Sequence, residues 1–173
     1  MNAGGFASGF AHPLFGFDHL VAMVAVGLLS VQIGGRAIWY VPSAFVVVIG
    51  LGGLLGLLGV PLPAVEGVIA LSVVALGAAI AAERAWPVWL AMAFVGFFAL
   101  FHGHAHAAEV PRLAAPELYV AGFMVATALL HLTGVGIGAA CRLAREPARL
   151  RALLGAAVAG IGAHILLLTY AVI

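Results

Sequence analysis

The sequence predicts an all-α integral membrane protein, a compact bundle of six transmembrane helices. Two observations carry this expectation. The 173 residues are 65% hydrophobic and 8% charged, with no lysine, whereas soluble domains are about 25% charged. The apolar residues also run in stretches of the length a bilayer demands, about 20 residues for a helix. In lipid a helix satisfies its own backbone hydrogen bonds, so such stretches read as helices. The chain length points to one domain covering 1–173.

Turn and charge markers cut the chain into spans at 13–32, 38–58, 64–82, 87–106, 116–139 and 150–172. The first follows a lead-in rich in Gly, Ser and Phe (1–11), expected to be short and to lie at the interface, and it stops before Gly34, Gly35 and Arg36. The second runs to the turn around Gly59 and Pro61. The third opens after Pro63 and closes at Glu83 and Arg84, and the fourth begins at Pro87. The fifth begins at Pro116, and the sixth follows the basic stretch from Arg142 to Arg151. Pro13, Pro42, Pro63, Pro87 and Pro116 are all expected at or near first turns, where a missing N–H costs least. Glycine pairs four apart, Gly52/Gly56 and Gly134/Gly138, read as close helix contacts.

Orientation follows from the arginines. The connections after spans one, three and five carry Arg36, Arg84 and the group Arg142, Arg145, Arg149 and Arg151, against Arg112 alone on the opposite side. The arginine-rich side is expected to be cytoplasmic and both termini periplasmic, in a bacterial inner membrane. An outward N-terminus needs translocation; removal of a signal peptide explains it, as does unaided crossing of a short, nearly uncharged tail.

Composition excludes several classes. Seven dispersed arginines make no patch for a nucleic-acid backbone, and a chain without lysine has no phosphate-binding loop of the ATPase kind. One cysteine, Cys141, allows neither an internal disulfide nor a thiolate cluster, so a metal site would use nitrogen and oxygen ligands.

The polar inventory within the spans is short, and an ionisable group at mid-bilayer costs roughly 2.5–3.5 kcal/mol even on the lenient insertion scale. Span one opens with HPLFGFDH, in which His12 and His19 share a helical face and Asp18 lies about 100° from His19. Span four ends in FHGHAHAAE. The offsets place His102, His106 and Glu109 on one stripe and His104 on nearly the opposite side. Two histidines at i and i+4 with a carboxylate one turn on suit chelation of a transition metal. By the orientation argument both motifs lie in the outer half, with His19 and His102 each roughly 10 Å below the helix ends. Glu66, in the first turn of span three, is on the same side and reads as either a further ligand or a solvated helix-start carboxylate. His131, with Thr127 one turn before it, and His104 are candidates for a pathway through the bundle; a satisfied interhelical hydrogen bond is the commoner role for His131 and for His164.

HPLFGFDH at 12–19 and FHGHAHAAE at 101–109 resemble the two hallmark motifs of the HupE/UreJ family of nickel/cobalt permeases, and the similarity covers nearly the whole chain. Ala107 departs from it, standing where the family pattern has glycine. The resemblance implies a secondary transporter importing Ni2+, alternatively Co2+ and then Zn2+, for hydrogenase or urease maturation. It implies metal handling by His12, Asp18, His19, His106 and Glu109, with Glu66 in addition, and it implies a cleavable signal peptide. No prosthetic group is expected, the partners being the lipid bilayer and the transported divalent ion. The rival readings use the same His/Asp/Glu cluster: an integral membrane metal-dependent hydrolase, or a haem or di-metal redox protein. A structural partner of a metalloenzyme is a third.

Overall fold

The computed structural model describes residues 5–107 and 116–171. Every regular element among them is helical: α1 (Phe6–Phe15), α2 (Phe17–Ile33), α3 (Ala37–Leu57), α4 (Val65–Ala81), α5 (Val88–Ala107), α6 (Pro116–Cys141) and α7 (Pro147–Ala171). Helices α3, α5, α6 and α7 are each long and apolar enough to cross a bilayer. With α1 and α2 taken together as one bent span the number is five. Helix α4 is apolar but has 17 residues, about 25 Å of rise.

The expectation of one continuous helix over 13–32 is corrected. The chain breaks at Gly16, and α1 and α2 meet at 82°. Gly16 is the one non-helical residue between them, at φ −74° and ψ 99°. Its N–H still bonds the His12 carbonyl (3.0 Å) and closes α1, while its own carbonyl accepts the Leu20 N–H (2.8 Å) and opens α2. A single extended residue therefore turns the chain through almost a right angle while its own N–H and carbonyl both stay bonded, and the Asp18 side chain accepts the His19 N–H at the new helix start. The break follows Pro13, which lies inside α1 instead of starting a span. The lead-in contributes Phe6 to Ala11 to that helix. Pro42 is likewise inside α3, beyond its first turn.

Helix α2 is the hub. Most of its residues are buried, and it packs against α3, α4 and α6. Around it α3 pairs with α5, α4 with α7, and α1 with α6. In each of these pairs, and between α2 and α6, glycines on both helices let backbone meet backbone. At the α2/α6 crossing a Cβ on Gly27 would collide with the His131 carbonyl, and one on Gly134 with the Val24 carbonyl. Lipid gives helices no hydrophobic reason to associate, so contact at this range supplies the packing and dispersion that hold them. The outward faces carry large apolar residues such as Val47, Phe97 and Leu167.

The arginine-bearing connections gather at one end. Arg142 Nη2 donates to the Val31 carbonyl at 2.8 Å, tying the start of the α6–α7 connection to the end of α2. Arg151 donates twice to Glu83, from Nε at 2.9 Å and Nη2 at 2.6 Å, joining α7 to the end of α4. Trp39, Tyr40 and Trp89 are exposed at this same end, as aromatic side chains at headgroup level are. The N-terminus of α2 and the C-terminus of α5 lie at the other end, and they carry the two histidine motifs.

Candidate metal site

The break at Gly16 builds the site. It directs α1 across toward α6 while α2 runs down the bundle axis, so His12 and the Asp18–His19 pair approach the end of α5 from two directions. The His12 ring centroid lies 4.5 Å from that of His106 and 6.3 Å from that of His19. His19 lies 4.5 Å from His106 and 4.6 Å from His102. Four imidazoles from three helices thus share one volume. His19, His102 and His106 are buried. Phe123 of α6 closes the side, its ring 4.7 Å from His106 and 6.2 Å from His12, and Tyr119 lies 6.1 Å from His12.

Asp18 sets the electronic state of His19. Its Oδ1 accepts the His19 backbone N–H at 2.8 Å and lies 2.8 Å from His19 Nδ1. An ionised carboxylate can only accept, so the ring proton sits on Nδ1 and the Nε2 lone pair points inward. A carboxylate behind an imidazole in this way fixes the tautomer and the orientation of the ring. That nitrogen faces His106 Nε2 at 2.7 Å, so in the ion-free state His106 donates to it.

His102 has a similar arrangement. Its Nε2 lies 3.0 Å from Ser72 Oγ, whose hydroxyl proton goes to the Ile69 carbonyl at 2.6 Å. The serine oxygen is therefore the acceptor, and His102 Nδ1 is the unprotonated nitrogen. It is fully buried and has no hydrogen-bond partner among the described residues. An orphaned lone pair in an apolar bundle costs free energy unless something is delivered to it.

Among the described residues no three His, Cys, Asp or Glu side chains stand ready-arranged around an ion. His19 and His106 approach at 2.7 Å, whereas two nitrogens each about 2.1 Å from one metal ion at a right angle lie about 3 Å apart, and farther in tetrahedral geometry. A small separation of the two rings, with His106 taking its other tautomer so that the proton sits on Nδ1 and Nε2 is free, converts the hydrogen bond into a chelate. Access is from the end of the bundle, where the Asp18 side chain is 26% exposed. A cleft of about 190 Å3 between α3, α5 and α6 also reaches His106; apart from Tyr119 its other lining, including Leu54, Phe123 and Met124, is apolar.

The structure therefore brings His12, Asp18, His19, His102 and His106 together. His104 points away, its Nε2–H donating to the Val60 carbonyl at 2.7 Å in the connection after α3. Glu66 is exposed in the first turn of α4, and none of its hydrogen bonds or ion pairs among the described residues reaches the cluster. Glu109 lies outside the described residues. Thr127 and His131 are buried deeper on α6, and His164 is exposed on α7. Ser72, Phe45, Tyr119 and Phe123 also shape the cluster. Ser72 was legible as the lone hydroxyl of the apolar run VIALSVVAL, whereas Phe45, packed against His102 at 5.7 Å, carried no signal among its apolar neighbours.

His104→Ala is expected to leave binding of nickel by the purified protein within about twofold of the unmodified chain, whereas His106→Ala is expected to weaken it by at least about tenfold, the scale for losing a ligand's support. Isothermal titration of both variants checks it.

A family model described as HupE / UreJ protein matches residues 1–165. A protein of Rhizobium leguminosarum bv. viciae described as Protein HupE is 45% identical over 166 residues, covering 96% of this chain and 86% of its own. No solved structure matches the chain.

Proposed function

Since the chain belongs to the HupE/UreJ family, we propose that it is a secondary carrier that takes a divalent transition-metal cation, Ni2+ first and Co2+ next, from the periplasm to the cytoplasm. The observation that carries this reading is the Asp18–His19–His106 arrangement, in which a carboxylate-backed imidazole presents its lone pair to a second imidazole inside an apolar bundle. Imidazole and carboxylate without thiolate suit borderline cations of this kind. The cation is cargo, so a site that must open slightly to accept it and can close again on leaving is better suited than a rigid cage.

In this reading the molecule crosses the membrane six times, α1 and α2 forming one bent span and α4 another. The arginine-rich end faces the cytoplasm by the positive-inside rule, and the histidine end faces the periplasm. Inward movement of a divalent ion gains roughly 4.6 kcal/mol at 100 mV, at about 2.3 kcal/mol per charge, so the membrane potential suffices as a driving force. Ligation needs unprotonated imidazoles, and acid on the outer side competes with uptake. His12 and Asp18 meet the ion first and His19, His106 and His102 take it inward, with Glu66 as a further carboxylate at the same end.

Proteoliposomes loaded with a nickel-responsive dye provide the test. Uptake should rise with an inside-negative potential and be competed by cobalt. Absence of uptake of nickel, cobalt and zinc at every potential would overturn the carrier in favour of a structural partner of a metalloenzyme, and turnover of a lipid or amide substrate by the metal-loaded protein would replace it with the hydrolase reading.

A further inference from the structure

The interior stripe of α6 continues past the histidine cluster. Tyr119, Phe123, Thr127 and His131 follow one another at intervals of four, which places them along one helical face. The first two contact His12 and His106. The next two are buried polar residues with nothing to bond: Thr127 Oγ1, His131 Nδ1 and His131 Nε2 all lack a hydrogen-bond partner among the described residues. Thr127 is 0% and His131 2% exposed. Threonine inside a helix ordinarily returns its hydroxyl to the carbonyl four residues back, as Thr133 and Thr169 do here. A buried imidazole ordinarily fixes its tautomer through at least one partner. Leaving three such atoms unpaired one turn apart is costly, and leucine or valine would pack the same space without that cost.

Their position gives the cost a use. The Phe45 ring of α3 lies 5.7 Å from the ring of His102 and 5.1 Å from that of His131. One aromatic side chain therefore separates the orphaned nitrogen of the outer cluster from the orphaned nitrogens below it. At the same level the His131 backbone meets Gly27, eight residues along α2 from His19, about 12 Å farther toward the arginine-rich end.

We infer that His131 and Thr127 form a second, inner station for the divalent cation, reached from His102 past the Phe45 ring. The inference rests on the carrier reading for its direction of movement, and on the unpaired atoms of α6 for the site itself. His131 supplies the nitrogen ligand and Thr127 a hydroxyl oxygen, with water retained by the ion filling the remaining positions. A weak donor set of this kind suits a station that must release its ion onward, whereas the imidazole cluster above it captures.

The experiment uses the full chain with His131→Leu and, separately, Thr127→Val. Both side chains keep nearly the volume of the originals and remove the unpaired atoms. Melting temperature should be unchanged or higher, because each variant deletes buried polar groups that bond nothing. Nickel uptake into proteoliposomes should fall at least tenfold in His131→Leu and several-fold in Thr127→Val. Equilibrium binding of cobalt to the detergent-solubilised protein should lose one bound ion in His131→Leu and keep the ion that is lost instead in His19→Ala. Uptake by His131→Leu within twofold of the unmodified protein, or an unchanged number of bound cobalt ions, would overturn the inner station. Should the unmodified chain transport nothing, the carrier reading fails by itself, and the cobalt stoichiometry still decides whether the α6 site exists.

Discussion

Asp18→Asn is expected to cut nickel uptake by at least about tenfold, within the 10–100-fold range for losing a carboxylate that orients a metal-binding histidine. The side chain keeps its shape, and its amide oxygen can still accept from His19 Nδ1, so the helix turn at 18–19 should survive. What disappears is the negative charge that holds the proton on Nδ1 and that offsets the incoming dication near His12, His102 and His106. His19→Ala should go further, removing the nitrogen itself together with its contact to His106. Initial uptake rates in proteoliposomes, with size-exclusion profiles to show that each variant is folded, make the comparison. Uptake by Asp18→Asn equal to that of the unmodified protein would place the ion elsewhere.

The second large effect concerns the scaffold. Gly27→Val is expected to reduce the yield of folded protein severely, with a loss of roughly 3 kcal/mol or more, the upper end for overpacking a close-packed interior. At this position the added carbon meets the His131 carbonyl and the backbone of Gly134 and Val135, none of which can rotate away. Relief requires α2 and α6 to separate along their length. Gly136→Ala, on the same helix α6 but facing open space, is the control and should melt within a degree or two of the unmodified protein. Detergent thermal-shift measurements on the two variants test the contrast. Equal melting temperatures would show that the α2/α6 crossing does not depend on backbone contact.

Much of the fold is legible in the amino-acid sequence. The apolar stretches and their proline, glycine and arginine punctuation locate most helices to within three residues, because a hydrophobic run of bilayer length leaves the backbone no alternative to a helix. The i, i+4 spacing of His102 and His106 separates them from His104 for the same geometric reason, and the structure turns His104 to Val60. The break at Gly16 is another matter. Pro13 precedes Gly16 and Asp18 follows it, yet Pro42 lies inside α3 without breaking that helix, so the local sequence alone does not dictate the break. The difference arises because α1 finds a partner in α6, where Gly9 meets the Tyr119 backbone and Gly122 that of Phe6.

Composition and spacings within single helices suffice for a helical membrane protein, for the family to which it belongs and for the residue types able to ligate a metal. Tertiary structure alone decided which of those residues meet. It assembled His12, His19, His102 and His106 across three helices, kept Glu66 on the surface, recruited Ser72 to set the tautomer of His102, and left His131 and Thr127 unpaired. Each of these outcomes depends on how closely two helices approach and at what angle, and that is set by contacts between residues distant in the chain.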